Sequence, residues 1–242
     1  MIDVPSPDLQ QLTASLFRLR IPGERAYLLN CYLWQGPDGV TLIDTGWPDS
    51  AKLIEQALRR LGSSRADVTR IVLTHFHEDH VGSAAEIAAW SGAEVIAGVP
   101  DSAFISGECY GPVPELTPGE RALRPEFVEP PHGPVCRVDR MVGDGDVLGF
   151  AGGAQVIAVP GHTPGSIALY LPAAEAVLTG DAVAEFNGQV ILGVFNIDRV
   201  AAMNSLSGLA ATGATIAGFG HGEAVLRNAG MRIAAAIDPF GT

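Results

Sequence analysis

Apolar residues in this chain recur in two patterns: short continuous runs that end at polar or glycine-rich turns, and longer stretches with helical spacing. The runs Ser15–Ile21, Ala26–Trp34 and Val40–Asp44 are rich in Leu, Val, Ile and Tyr. Pro-Gly and Gly-Pro-Asp-Gly turns separate them, which predicts strands. Ile54, Ala57, Leu58 and Leu61 fall at i, i+3, i+4 and i+7 and predict a helix over Asp49–Leu61, with Asp49 capping its start and Gly62 ending it. A buried-looking strand, Arg70–Thr74, leads into a polar cluster and a short Ala-rich helix, Gly82–Trp90, followed by strand Glu94–Ala97. Further strands are predicted at Gln155–Val159, Ser166–Leu171, Ala176–Thr179 and Thr215–Phe219. Helix Asp198–Thr212 repeats apolar residues at Val200, Met203, Leu206 and Leu209, and helix Arg227–Ile237 comes last. The irregular stretch is Pro100–Pro134, with seven prolines between Pro100 and Pro131. A loop that long in a compact domain is usually functional or disordered. Strands lie before, between and after helices in both halves, and no linker of boundary composition separates them. Residues 1–242 therefore read as a single α/β domain of two similar layers.

Composition narrows the function classes. Of 242 residues, 47% are apolar and only 17% charged, enough apolar surface for a sizeable core. With 15 basic against 27 acidic residues the net charge is −12, which argues against a nucleic-acid partner, because affinity for polyanions rests on clustered Lys and Arg. The 29 glycines and 17 prolines suit a loop-rich globule rather than a disordered, coiled-coil or collagenous chain. No basic and apolar leader precedes Gly23 and no run of 18 apolar residues occurs, so neither an export signal nor a membrane span is expected. Cys31, Cys109 and Cys136 are odd in number and widely spaced, which suits free thiols and a cytoplasmic location.

The densest chemical signal is His75-x-His77-x-Asp79-His80: four potential metal ligands within six residues, at the end of a strand. A lone histidine is more often a core or surface residue, but three with an aspartate at such spacing do not fit that reading. Residues i and i+2 leaving a strand face one side, so His75 and His77 can grip one metal. Asp79 and His80, where the chain turns into helix, can face a second. Two sites need more ligands, and candidates stand at later strand ends: His162 in Pro160–Ser166, Asp181 in Thr179-Gly180-Asp181, and His221 in Gly220-His221-Gly222. Each is weak alone; their joint occurrence carries the inference.

On these residues the chain resembles the metallo-β-lactamase-fold hydrolase superfamily, with Leu42-Ile43-Asp44-Thr45-Gly46 matching that family's first motif and the other four following in order. The resemblance implies a four-layer αβ/βα sandwich of two mixed β-sheets flanked by helices, with a metal site at one edge. It also implies that His75, His77 and His162 bind one metal, that Asp79, His80 and His221 bind the other, and that Asp181 bridges both. Asp44 would support the ligands by hydrogen bonds without binding metal. Two Zn2+ ions are the expected cofactors, with iron or manganese allowed by the ligand types. A metal-bridging hydroxide would then attack an ester-like carbonyl in a small-molecule substrate, with Asp79 orienting it and shuttling its proton. No Gly-x-Ser-x-Gly elbow or other nucleophile competes with that reading.

The resemblance narrows the substrate without fixing it. Antibiotic-degrading members usually carry Cys or Ser where Asp181 stands, whereas glyoxalase II-like thioesterases, lactonases and phosphodiesterases carry Asp. Glyoxalase II enzymes append a glutathione-binding helical domain, and here only Gly222–Thr242 follow His221. Quorum-signal lactonases place a tyrosine just after the bridging aspartate, where this chain has Ala182–Phe186. A thioester, lactone or related acyl compound remains the first expectation, and a mononuclear iron persulfide dioxygenase is the alternative. A β-lactamase and a phosphodiesterase or nuclease rank lower. Trp47, Phe104, Tyr110, Phe127, Phe186 and Phe195 are candidate pocket walls, although each fits an ordinary core as well. The oligomeric state is left open.

Overall fold

The computed structural model describes residues 7–22, 28–123 and 130–241. Among these residues the strands form a seven-stranded sheet, a five-stranded sheet and a separate hairpin. The first sheet runs in sequence order: β1 (Asp8–Gln11), β2 (Leu16–Ile21), β3 (Leu29–Gly36), β4 (Gly39–Ile43), β5 (Val68–Leu73), β6 (Glu94–Gly98) and β7 (Arg140–Val142). Its first four strands pair antiparallel, and β4 to β7 pair parallel. The parallel pairs are joined through α1 (Ala51–Arg60), α2 (Glu78–Val81) with α3 (Ala84–Ser91), and the 99–139 stretch, which holds α4 (Ser102–Ile105) and α5 (Pro118–Leu123).

The second sheet has the order β14-β11-β10-β9-β8, built from β8 (Val147–Leu148), β9 (Ala154–Ala158), β10 (Ile167–Leu171), β11 (Ala176–Leu178) and β14 (Ile216–Gly218). Between β11 and β14 lie the hairpin β12 (Val183–Phe186) and β13 (Gln189–Leu192) and the long helix α6 (Arg199–Ala211). Helix α7 (Ala229–Ala234) follows β14.

Side-chain alternation explains the layering. Along β3, Cys31 and Leu33 join Ile54, Leu58 and Ile87 of α1 and α3 in one core cluster. Tyr32 and Trp34, on the opposite face, pack between the sheets with Val156, Leu169 and Leu178. A third cluster puts Ala168 and Val177 against Leu206, Leu209 and Ile233 of α6 and α7. Both faces of each sheet are therefore covered, and the layer order is helix, sheet, sheet, helix, as expected. Burial on both faces is also why the central strands read as continuous apolar runs.

Two local expectations are corrected. Asp49 does not cap α1: it has φ 75°, and the Ala51 N–H donates instead to Ser83 Oγ at 3.2 Å. Helix α6 begins with its Asp198 cap, whose side chain accepts from the Ala201 N–H. Its core face, however, is Ala202, Leu206 and Leu209, while Val200 and Met203 are 72% and 41% exposed. The Ala-rich helix expected over Gly82–Trp90 is α3, Ala84–Ser91, and a further helical turn, α2, lies within the histidine cluster itself.

Topology places the chemistry. Parallel strands β4, β5 and β6 end at one edge, and β9, antiparallel to β10, runs with β11 and β14 toward that edge of the other sheet. A backbone bond from the Ile167 N–H to the Thr74 carbonyl, at 2.9 Å, ties the two sheets together there. Asp44, His75, His162, Asp181 and His221 all follow strands at this common edge.

Candidate metal centre

Asp44 lies one residue past β4 with φ 61°, and its buried carboxylate anchors the first part of the site. Oδ1 accepts the Thr74 N–H and Oδ2 the Thr74 hydroxyl, both at 2.8 Å. Because that hydroxyl donates to Asp44, its oxygen accepts from His75 Nδ1 at 3.0 Å. His75 therefore carries its proton on Nδ1 and keeps Nε2 as a free lone pair. His80 Nδ1 also bonds Asp44 Oδ2, at 2.8 Å, and the Thr45 N–H and hydroxyl hold the His80 carbonyl. Sequence order alone could not show that one carboxylate fixes both imidazoles.

The donor atoms converge. Rings of His75, His77 and His162 stand 4.7–4.8 Å apart at mutually steep angles, and His162 Nε2 lies 2.9 Å from His77 Nδ1. On the other side, His221 Nε2 is 3.2 Å from Asp79 Oδ2, and His80 Nε2 is 3.8 Å from the same oxygen. Asp181 reaches both groups, with Oδ1 at 3.3 Å from His80 Nε2 and Oδ2 at 3.7 Å from His162 Nε2 and 3.3 Å from His221 Nε2. Three sets of donors fall within 4.8 Å of one another: His75, His77 and His162; Asp79, His80 and His221; and His75, His80 and Asp181. The third set takes one histidine from each of the other two.

Cations fit this donor set. Nε2 of His75, Nε2 of His80 and Oδ1 of Asp181 are buried without a hydrogen-bond partner, a costly arrangement that a coordinated cation relieves. Electrostatics differ between the two sides. Burial, reinforced by neighbouring imidazoles, pushes His75 well below the ordinary histidine range and His162 down to about 3, so both are neutral, the form that binds metal. Burial also opposes charge on His80 and His221, but Asp181 and Asp79 overcome it and hold His80 well up and His221 at about 9. Those imidazoles, with His80 foremost for Asp79 and His221 for Asp181, outweigh burial and hold both carboxylates down. A cation entering this side displaces protons.

The Gly220–Gly222 turn is clamped from β2 and β3. Asn30 Nδ2 donates to the Phe219 and Gly222 carbonyls at 2.9 Å, Tyr32 Oη to the Phe219 carbonyl at 2.9 Å, and Arg20 Nη1 to the Gly222 carbonyl at 3.1 Å. Only glycine fits at 220, because a Cβ there would collide with Asp181 Oδ1. The sequence reading missed this clamp; Arg18 and Arg20 alternating within an otherwise apolar strand were the available signal.

The proposed pocket walls divide. Phe104 lies 5.0 Å from Phe76, which is 4.8 Å from His77, so it stands beside the histidine loop. Trp47 is half-buried against the α1 side of the core, and its carbonyl accepts from Ser83 Oγ. Phe195, with φ 61°, sits in the loop whose Ile197 and Asp198 N–H groups donate to the His162 and Gly161 carbonyls. Phe186 is 48% exposed and packs on Phe240 at 6.0 Å. Tyr110 is a correction: it is 100% exposed, and Gly111 rather than Tyr110 packs against Phe76. Phe127 lies outside the described residues. The Pro-rich stretch does border the centre, since His132 Nδ1 lies 3.2 Å from Glu78 Oε1. Cys31, Cys109 and Cys136 are free thiols. Among the described residues no helix is long and apolar enough to cross a membrane.

Known proteins share this architecture. The chain is 33% identical over 170 residues to "Probable metallo-hydrolase YflN" of Bacillus subtilis (strain 168), an alignment covering 67% of this chain and 64% of that protein. It is 36% identical over 137 residues to a hydroxyacylglutathione hydrolase of Brucella anthropi, covering 55% of this chain and 39% of that enzyme. The chain thus spans less than two thirds of either relative. A solved metallo-beta-lactamase family protein from Thermus thermophilus superposes with a TM-score of 0.69 at 26% identity, over 93% of this chain and 79% of that one. The family profile described as the metallo-beta-lactamase superfamily matches residues 26–221, a span enclosing every donor from His75 to His221. The chain belongs to the metallo-β-lactamase superfamily.

Proposed function

We propose that this protein is a hydrolase that uses two divalent cations, most simply zinc, to cleave a small-molecule ester-like acyl compound such as a thioester or lactone. The observation that carries the reading is the complete donor set, in which Asp181 approaches members of both trios. His75, His77 and His162 would hold one cation, Asp79, His80 and His221 the other, and Asp181 would serve both. When bound, such cations lower the pKa of a water molecule toward neutrality and polarise a carbonyl oxygen. Asp44 fixes the tautomers of His75 and His80, so their Nε2 atoms are already oriented. Asp79, which is partly exposed, would orient the attacking water and pass its proton to the leaving group.

The pairing of the arginines beside the 193–198 loop favours a neutral carbonyl substrate over a phosphate-rich one. Arg199 is engaged by Glu120 and Asp238, and Arg121 by the Leu116 carbonyl. Metal quantification coupled to a substrate panel tests the proposal. About two zinc ions per chain, with turnover of an acylthioester or acyl-homoserine lactone exceeding that of a chromogenic β-lactam and a phosphodiester, is the expected result. One iron per chain with oxygen consumption on glutathione persulfide would replace it with dioxygenase chemistry.

A further inference from the structure

Asp101 follows β6 through a short turn, Val99–Asp101, and its side chain is wholly buried although no ion pair engages it among the described residues. Its carboxylate instead joins two ligand-bearing loops that are far apart in sequence. Oδ2 accepts the Phe76 N–H at 3.1 Å, between His75 and His77, and the Thr163 hydroxyl at 2.6 Å, next to His162. Oδ1 accepts the Gly165 N–H at 2.7 Å. Ser166 Oγ closes the arrangement, lying 2.7 Å from Thr163 Oγ1 and accepting the Thr163 N–H at 3.0 Å. Every one of these partners lies within a few residues of the histidine trio, and none belongs to the Asp79–His80–His221 side.

The geometry points to Asp101 as the positioning residue of the three-histidine site, the counterpart of Asp44 but acting on backbone rather than on imidazole nitrogen. This rests on the two-cation reading above. Burying a carboxylate is costly unless donors surround it, and here three donors from the two ligand-bearing loops meet that need, so the carboxylate fastens one loop to the other. It holds the His75–His77 loop at a fixed distance from the His162 loop, and a shared cation demands that distance. Neutral Asn cannot replace it, because one of its two terminal atoms donates and leaves at least one of the three donors facing another donor.

Cobalt titration of single-site proteins tests the assignment. His221→Ala leaves only the three-histidine site, and His162→Ala leaves only the other. In the His221→Ala background, Asp101→Asn should weaken Co2+ binding about 10–100-fold and alter the visible cobalt spectrum, as loss of outer-sphere partners typically does. In the His162→Ala background the same substitution should leave affinity within about threefold, well below that outer-sphere effect. Equal weakening in both backgrounds, or no change in either, would overturn the inference. Thr163→Val removes only the hydroxyl and should weaken the three-histidine site in the same direction, with Thr163→Ser restoring it. That pair decides the matter if Asp101→Asn does not fold. Failure of the unsubstituted protein to take up Co2+ would instead defeat the two-cation reading itself, an outcome separate from the others.

Discussion

At the scale of single residues, the histidines of the centre fall into two groups with opposite pH behaviour. His75 and His162 are held neutral by burial, His162 down to about 3, so in the metal-free protein they resist protonation that the unfolded chain accepts near pH 6.5. They therefore cost stability increasingly as pH falls below that value. His80 and His221 are raised, His221 to about 9, so the stability from their pairing with Asp79 and Asp181 is full below about pH 6.5 and is lost as pH rises through about 9. The depressed Asp79 and Asp181 add stability that is present above their unfolded values near 4 and lost on acidification. Metal-free protein should accordingly unfold at the highest temperature near pH 6.5 and at lower temperatures on either side. Thermal unfolding of chelated protein across about pH 5 to 9, a range that brackets the ordinary histidine value, checks this. A curve still rising at the alkaline end would show that His80 and His221 do not hold their protons.

At the scale of elements, much of the stretch that resisted sequence reading is fastened by one buried carboxylate. Glu120 of α5 accepts the Phe195 N–H at 2.7 Å and Arg199 Nη1 at 2.8 Å through Oε1, and the Thr117 N–H at 2.9 Å through Oε2. It thereby joins the Pro-rich segment to the 193–198 loop and to α6. A non-glycine residue at φ 61° such as Phe195 needs its neighbours to hold it there. Glu120→Gln turns one acceptor into a donor and should cost about 1–3 kcal/mol in urea-induced unfolding. A change within about 0.5 kcal/mol, the range of ordinary surface substitutions, would mean the junction is not structural. Helix α5 escaped prediction because six residues, Pro118–Leu123, carry no readable period, and its partners Phe195, Arg199 and Phe240 are distant in sequence. The hairpin β12–β13 does carry a legible signal. Asn187-Gly188, with φ 51° and 82°, is a common tight-turn pair flanked by Val183 and Val190–Leu192. Strands such as Arg140–Val142 and Val147–Leu148 are too short for any alternation to register. In α6 the spacing of Val200 and Met203 misled because Ala202, a small residue, packs so close to Gly161 that a Cβ on that glycine would collide with it. By contrast, His75, His162, Asp181 and His221 stood out in the sequence because each follows a buried strand within a few residues, while Asp79 and His80 stood out only through their spacing from His75 and His77.

At the scale of the whole molecule, two sheets with independent helix layers meet at an edge lined by imidazole and carboxylate groups. The apolar core between them is continuous, and the centre lies at the edge where backbone bonds such as Ile167 N–H to Thr74 and Asn30 N–H to Gly220 also join the sheets. A cation held by residues of both sheets acts only on the folded chain, and ligand bound solely to the folded state raises stability by mass action. At free metal about a thousandfold above its Kd, one site adds roughly 4 kcal/mol. For a chain of 242 residues, each kcal/mol shifts the unfolding midpoint by about 2–4 °C. Chelation near neutral pH should therefore lower Tm by about 8–16 °C per occupied site under such conditions, with zinc restoring it in a concentration-dependent way. The separation of the two trios sharpens this. His162→Ala and His221→Ala each disable one side, so each variant should show a smaller chelation effect than the unsubstituted protein. If either variant kept the full shift, the residue removed would have no part in holding a cation, and the division of the centre into two sides would have to be redrawn.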